Sequence, residues 1–346
     1  MANIIYAKSD RALDPMIGRY EHPIKMIISS ESDEYRKKHS IVEKLFNIEK
    51  SNRYSETIVG ENNFDVFAVT KEGQGAENDS VGTTFDKTIF HHQFMKEFTV
   101  TAEMMEDAKN GIAADAKRRA SAFARAYEQT RNKLAMKALY SGTSGTMTFA
   151  KGTFDISVAD GKPLFHGAHT FAPEKMAGKT QSNLFHKNIT GTADLENVLN
   201  LATNKMRNFW DEDGEVLGYV PDTIIIPGNQ AELETWVKKV CGSERTTGNG
   251  NNDINIQYGN WDIVVFTDWV ADDKRFILMS SEANKNLLGS VFYNRVPLTV
   301  KNWVDYHTGN YIWNGRARMG VGHYTWKHAS MVISASSATG GSTELK

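Results

Sequence analysis

The chain has 346 residues and a mass of 38.7 kDa, above the roughly 250–300 residues at which one hydrophobic core usually stops growing, so two domains are expected. Its 40% hydrophobic and 24% charged residues exclude a disordered or collagen-like chain. The balance of 40 Lys and Arg against 42 Asp and Glu, a net charge of −2, argues against a dedicated nucleic-acid binder with a large basic field, while leaving DNA open as a neighbour. Cys241 is the single cysteine, which rules out an intrachain disulfide and a cysteine-based zinc site. The first ten residues lack a basic start and an apolar core, and no run approaches about 18 apolar residues. A chain that stays in the cytosol, or in something assembled there, is therefore expected.

In chain order, residues 1–50 mix short apolar runs such as Ile24–Ile28 with charge clusters such as Glu31–Lys38. The spacing predicts one amphipathic helix, over about 34–48, in a segment that otherwise reads as an arm. From Tyr54 to Val100 the pattern is β-like and predicts a long hairpin. Its strands are Phe64–Thr70 and Thr83–Phe90, joined by the polar loop Lys71–Asp79 with two glycines. An isolated hairpin is marginal in water, and nothing adjacent in sequence covers this one's aromatic face, so it needs a neighbour such as another subunit.

Thr101 is placed as an N-cap for a short acidic helix beginning at Ala102, and Asn110-Gly111 as its stop. Beyond it Ile112, Ala116, Ala120, Phe123, Tyr127, Leu134 and Ala138 recur at helical spacing, with Lys117, Arg118, Arg125, Arg131 and Lys137 on the other faces. This predicts a helix of about 30 residues, about 45 Å long at 1.5 Å per residue, which suits a strut. Residues 143–190 read as loop-rich. A helix at about Thr192–Phe209, a buried strand Thr223–Ile226 and a helix Gln230–Val240 follow, then strands at Ile263–Phe266, Arg275–Met279, Val296–Val300 and Tyr311–Trp313. That mixture reads as α+β, and Ser336–Lys346 as a small polar tail.

The residues that could carry chemistry do not form a constellation. His166 and His169 have an i, i+3 spacing in a glycine-containing loop with no third ligand nearby, so loop or interface histidines are expected and no metal site. His91 and His92, placed in a strand, point to opposite faces and cannot share one metal. Gly142-Thr-Ser-Gly145 follows a helix, whereas a nucleophile elbow needs a strand-to-helix turn. Cys241 lies near Lys238 and Lys239, which favour a thiolate, but a small helix residue packed inward is the better reading. Asp211-Glu-Asp-Gly214 is too short for a calcium loop and reads as a helix stop. Gly248-Asn-Gly250 lacks the third glycine and preceding strand of a phosphate loop. No enzyme, cofactor or metal is expected. A cytosolic hydrolase using His166 or His169 is the alternative from a different class, motivated by the histidine count alone.

Several longer motifs carry a resemblance. Glu97-Phe-Thr-Val-Thr-Ala-Glu-Met-Met-Glu-Asp-Ala108, then the long helix, then Ala138-Leu-Tyr-Ser-Gly-Thr-Ser-Gly145 resemble the stretch around the spine helix of tailed-bacteriophage major capsid proteins. Asp160-Gly-Lys-Pro-Leu-Phe-His-Gly-Ala-His169, Gln181-Ser-Asn183 and Pro221-Asp-Thr-Ile-Ile-Ile-Pro227 are similar to Mu-like major head subunits. In order and spacing the resemblance covers most of residues 50–335.

The resemblance implies the α+β Hong Kong 97-like capsid fold. It divides the chain into an N-terminal arm (1–53), an extended β-hairpin loop (54–96), a peripheral domain (97–189 and 286–335, spine helix about 111–140), an axial domain (190–285) and the polar tail (336–346). Residues 151–189 are placed as a connecting loop of the peripheral domain. It implies a shell subunit that associates with copies of itself as homo-hexamers and homo-pentamers in an icosahedral head. The shell is assembled in the bacterial host cytoplasm and encloses double-stranded DNA contacted non-specifically. A portal, a decoration protein and a scaffolding protein are its implied partners; the scaffold is a separate chain because the arm is too short to carry one. A membrane is not among the partners. An encapsulin-like nanocompartment shell is the close alternative. Lys71, Glu72, Glu77 and Asp79 in the hairpin loop, with Glu97, Arg118 and Arg119, are the expected intersubunit contacts. Lys71 with Asn310 or Asn314 is the pair to test for a Lys–Asn cross-link.

Overall fold

The computed structural model describes residues 5–6, 15–61, 67, 69–75, 82–107, 114–172, 176–244 and 255–346. In chain order its elements begin with β1 (Ile5–Tyr6), α1 (Pro15–His39), α2 (Val42–Leu45), β2 (Asn47–Lys50), β3 (Ser55–Glu61), β4 (Thr83–Phe90), β5 (His92–Val100), α3 (Ala102–Glu106) and α4 (Ala114–Tyr140). Four short strands follow: β6 (Thr146–Phe149), β7 (Gly152–Asp155), β8 (His169–Thr170) and β9 (Thr180–Gln181). The rest of the chain supplies β10 (Leu184–His186), β11 (Thr223–Pro227), β12 (Asp262–Phe266), β13 (Arg275–Met279), β14 (Ser290–Val304), β15 (Tyr311–His323), β16 (Ala329–Ile333) and β17 (Thr343–Glu344). Helices Thr192–Arg207, Ala231–Gly242 and Ser281–Asn286 lie among these last strands. Contacts divide the chain into two units. Unit one is Met1–Glu56, Ile89–Met136 and Phe292–Val321; unit two is Thr57–Thr88, Lys137–Val291 and Gly322–Lys346.

Unit one is a helix layer on a sheet of order β1-β14-β15-β5, with β2 also paired to β14. β5 and β15 run antiparallel from Val100 opposite Tyr311 to His92 opposite Met319. Strand alternation turns Leu298, Val300, Tyr311, Trp313 and Val100 to one side, where they meet Ala116, Ala120, Phe123 and Ala124 of α4 and Ile24 and Ile28 of α1. Phe98 stacks on Trp313 and tilts against Phe123. Gly315 is required there, because a Cβ would lie 2.3 Å from Phe123 Cζ. Thr101 caps α3 as expected, its Oγ1 accepting from Met104 N at 3.3 Å.

Unit two centres on a six-stranded mixed sheet, β12-β11-β13-β16-β10-β17. β11 is parallel to β12 and antiparallel to β13, and β10 lies parallel between β16 and β17. Every residue of β11 and β16 is buried, as a strand covered on both faces requires. Helix Thr192–Arg207 buries Leu195, Val198, Leu199, Ala202 and Met206, and helix Ala231–Gly242 buries Leu233, Val237, Val240 and Cys241. Those helices and the strands at 223, 263 and 275 stand where the spacing placed them.

Four expectations change. The N-terminal helix is Pro15–His39 in place of 34–48, despite Pro23 within it, because Ile24 and Ile28 gain complete burial against unit one's core and outweigh local propensity. The hairpin's first strand is Ser55–Glu61, held to β4 in part by Thr57 and Thr88, whose hydroxyls lie 2.8 Å apart. Of the strand expected at Phe64–Thr70, Phe64, Asp65, Val66 and Ala68 lie outside the described residues, and Phe67 and Val69 are fully exposed and unpaired by any ladder. Val296–Val300 is the middle and Tyr311–Trp313 the start of much longer strands, 15 and 13 residues. The tail at Ser336–Lys346 returns as β17, with Phe185 opposite Thr343 and Leu345 fully buried. Asn110 and Gly111, the expected stop before the long helix, lie outside the described residues.

Candidate assembly and charged surfaces

In unit one α1 is clamped to α4 by buried charge. Glu128 of α4 accepts from Ser32 Oγ at 2.6 Å, from Arg36 Nη2 at 2.7 Å and from Arg131 Nη1 at 2.9 Å. Burial works against this carboxylate, yet the guanidiniums of Arg131 and Arg36 hold it below the usual range. One turn further on, Asn132 Nδ2 donates to His39 O at 2.8 Å and its Oδ1 accepts from Ile41 N at 3.3 Å. The side-chain amide thereby terminates α1 and sets the turn into α2.

The helix layer and the sheet of unit one present different outer surfaces. Between Ala114 and Lys133 the exposed residues of α4 are Ala114, Asp115, Lys117, Arg118, Arg119, Ala122, Arg125, Gln129 and Lys133. Arg118 pairs with Asp115 at 2.7 Å and Arg125 with Glu31 at 3.1 Å, both in solvent, and Arg119 Nη1 donates to Thr99 O. Strands β2, β5, β14 and β15 and the turn after β14 expose Ile48, Met95, Trp303 and Tyr306 among charged residues of both signs, Glu49, Glu97, Lys301, Arg316 and Asp305. Glu97 lies on β5 opposite Asn314. Asn310 Oδ1 accepts from Ala102 N at 3.3 Å.

Of the expected contact residues, Lys71 and Glu72 occupy an exposed turn closed by Gln74 N donating to Lys71 O at 3.0 Å. Glu77 and Asp79 lie outside the described residues. Arg118 and Arg119 are exposed on α4 and Glu97 on β5, with partners for the two arginines inside the subunit.

In unit two the Asp160–His169 motif is a structural knot. Asp160 accepts from His169 Nδ1 at 2.8 Å, Thr170 N at 3.2 Å and Lys162 N at 3.0 Å. His169 Nε2 faces Asn183 Oδ1 at 3.2 Å. The Asn183 amide is fixed in orientation, since its Nδ2 donates to Leu164 O at 2.7 Å and Ala329 O at 3.0 Å while its Oδ1 accepts from His166 N. Both ring nitrogens of His169 are therefore engaged within the subunit. Burial lowers the pKa of the ring despite the carboxylate beside it, and the ring stacks on Trp326 at 4.6 Å. Asp160, His169 and Asn183 thus act as one hydrogen-bonded unit. That leaves His169 no free nitrogen for a substrate.

A cleft beside the knot, with about 280 Å³ of empty space, is lined by Thr84, Tyr324, Asp160 and Glu212. Glu212 is already bound to Lys327 Nζ at 2.6 Å and Ala172 N at 2.8 Å. Elsewhere in unit two, Ser290 Oγ joins His323 Nδ1 at 2.9 Å and His328 Nε2 at 2.8 Å, while His323 Nε2 donates to Ala138 O at 3.2 Å. Burial pushes His323 down to about 4 and His328 down to about 3. Cys241 packs inward, its thiol pushed up to about 12 by burial. Among the described residues no three His, Cys, Asp or Glu side chains gather to hold a metal, and no helix is long and apolar enough to cross a membrane.

The two units carry opposite charge. Unit one holds 22 Lys and Arg against 16 Asp and Glu, a net +6, and unit two 18 against 26, a net −8. The sum conceals this, and sequence reasoning missed it because unit one is assembled from three separated stretches. The clamp at Glu128 was missed as well; its signal was the i, i+3 pair Glu128–Arg131 on the buried side of a helix.

The profile of the phage capsid protein family matches residues 87–332. Among curated proteins no sequence matches. Many solved chains share the fold, two phage chains among them. A chain from Mycobacterium phage Patience matches with TM-score 0.50 and 13% identity over 97% of this chain and 92% of that one. A chain from the capsid structure of the cyanophage P-SCSP1u matches with TM-score 0.50 and 11% identity over 86% and 89%. The fold is thus the Hong Kong 97-like α+β fold of tailed-phage shells, and its place is the virion capsid. The chain belongs to the phage capsid protein family and is a major capsid protein, a structural protein that builds a shell from many copies of itself.

Proposed function

We propose that the chain assembles as homo-hexamers and homo-pentamers into an icosahedral head that encloses double-stranded DNA, in the cytoplasm of a bacterial host. A separate scaffolding protein, a portal and a decoration protein are its proposed partners. The observation that carries this reading is the family match across 87–332. Physical support comes from the β3–β4 hairpin, a two-stranded sheet joined to no other strand among the described residues. Beyond it Phe67 and Val69 are fully exposed. Apolar side chains held in water at the end of a two-stranded ladder gain stability when a neighbouring copy covers them.

Lys71, Glu72, Glu77 and Asp79 of the loop and Glu97 of β5 are the proposed contacts to that neighbour. The peripheral domain of the shell corresponds to 97–189 and 286–335, and the axial domain to 190–285. The role is structural, with no catalytic step. Arg119 of α4 is a further proposed contact to that neighbour, and Arg118 is given a different partner below.

Electron microscopy of the chain co-expressed with its scaffold tests the reading. Closed shells or rings of five and six are expected, with double-stranded DNA inside particles made during infection. A stable monomer or dimer under all conditions overturns it, and shells filled with protein cargo point to a nanocompartment. Removing residues 71–79 is expected to abolish shells while leaving the melting temperature of the subunit within about 2 °C. Assembly unchanged by that deletion overturns the bridging role of the loop.

A further inference from the structure

Resting on the shell reading above, we propose that the exposed face of α4 is the surface that meets the packaged double-stranded DNA, with Lys117, Arg118, Arg125 and Lys133 as its phosphate contacts.

The charge distribution comes first. DNA of either sequence presents closely spaced phosphates, and non-specific binding is the sum of cations brought near them. Unit two, at net −8, repels such a surface, whereas unit one, at net +6, attracts it. Within unit one the two outer surfaces differ in kind. The nine exposed residues of α4 from Ala114 to Lys133 include five cations and one acid, and none is a large apolar residue. From Lys117 to Lys133 the row is about 24 Å long at 1.5 Å per residue, enough to follow several phosphates of a duplex that carries one charge per about 1.7 Å of axis. The side chains are long and solvated. The acids paired with Arg118 and Arg125, Asp115 and Glu31, form exposed pairs, weak enough to exchange for phosphate.

The sheet side is unsuited to the same role. It exposes Ile48, Met95, Trp303 and Tyr306, the last 93% exposed, beside Glu49, Glu97 and Asp305. Apolar side chains interleaved with both signs of charge match another protein surface better than a polyanion. Met26 is the one exposed large apolar residue of the helix layer among the described residues.

The test compares two variants of the full chain. In the first, Lys117→Gln, Arg118→Gln, Arg125→Gln and Lys133→Gln are combined; in the second, Lys301→Gln, Arg316→Gln and Arg318→Gln. Binding of a random-sequence duplex to purified capsomers is followed by fluorescence anisotropy between 50 and 200 mM salt. The α4 variant is expected to lose at least 100-fold in affinity at the lowest salt and to show a log–log salt slope shallower by about 3 to 4. The sheet variant is expected to stay within threefold. Equal losses, a loss confined to the sheet variant, or no binding by the parent chain overturn the proposal.

Formaldehyde cross-linking of DNA-filled parental particles needs no variant. DNA adducts are expected on Lys117 and Lys133, and adducts on Lys301 instead overturn the assignment. Microscopy of the same preparations separates the two failures: absence of shells from the parent chain refutes the shell reading, whereas intact DNA-filled shells with adducts elsewhere refute only the face.

Discussion

The two units bury polar groups by opposite means. Unit one buries ions: Glu128 lies between two guanidiniums, and Arg131 also lies over the rings of Phe292 and Tyr127. Unit two, besides its Lys327–Glu212 ion pair, buries imidazoles kept neutral, with Ser290 passing one hydrogen bond from His328 to His323 and the Ala138 carbonyl ending the chain. An ion cluster is sensitive to loss of a partner and tolerant of mild acid. A neutral histidine chain has the reverse sensitivity, because the proton it must refuse is one that the unfolded chain accepts.

The largest effect expected from this contrast is on the ion cluster. Glu128→Ala leaves Arg36 and Arg131 buried without their carboxylate, and a loss of about 3–5 kcal/mol is expected in urea unfolding. Hydrogen exchange is expected to show α1 released first. A loss below about 1 kcal/mol would mean that the hydrophobic contacts of Ile24 and Ile28 hold α1 by themselves.

Acid should sharpen the comparison next. His323 and His328 titrate near 6.5 when unfolded and near 4 and 3 when folded. Their contribution is therefore complete above pH 6.5 and is lost as pH falls toward about 3, by about 2 kcal/mol per ring at pH 5. His91 and His92, lowered by lesser burial, add to the loss in unit one. Glu128, lowered from 4.5, protects its cluster until pH falls below that value. Between pH 6.5 and 4.5 exchange protection should decline first around Ser290 and His323. An earlier decline around α1 would break the contrast.

The smallest effect is chemical. Cys241, with its thiol at about 12, is expected to resist iodoacetamide at pH 8 in the folded chain and to react within minutes in 6 M guanidinium. Fast labelling of the native chain would show that helix Ala231–Gly242 opens readily.

What could be read from the sequence follows from how locally each feature is specified. The helices at 102, 114, 192 and 231 and the strands at 223, 263 and 275 declare themselves through period and caps. The helix Pro15–His39 does not, because its proline and sparse apolar residues make sense only against α4 and β14. Strands β14 and β15 look short because Asn294, Arg295, Arg316 and Arg318 interrupt the apolar run; the alternation continues, with Ala317 and Met319 buried and Arg316 turned to solvent. β16 was not anticipated at all, since a five-residue buried strand has no period to display. Of the assembly surfaces, the hairpin and its exposed loop were legible as an unpartnered pair of strands. The opposed charges of the units were not, since they appear only once three distant stretches are brought together.

That discontinuity also governs when the chain can fold. Unit one needs Ile24 and Ile28 from the start of the chain, α4 from its middle and β15 from near its end. At about 5–20 residues per second, the ribosome takes on the order of ten to thirty seconds to proceed from Met136 to Tyr311. Throughout that interval the apolar stripe of α4 has no sheet to rest on. The nascent subunit is then a client for chaperones, and its long-range strand pairing makes the final closure slow. A surface that exists only after closure cannot recruit a second copy early, so synthesis itself delays shell growth until subunits are finished.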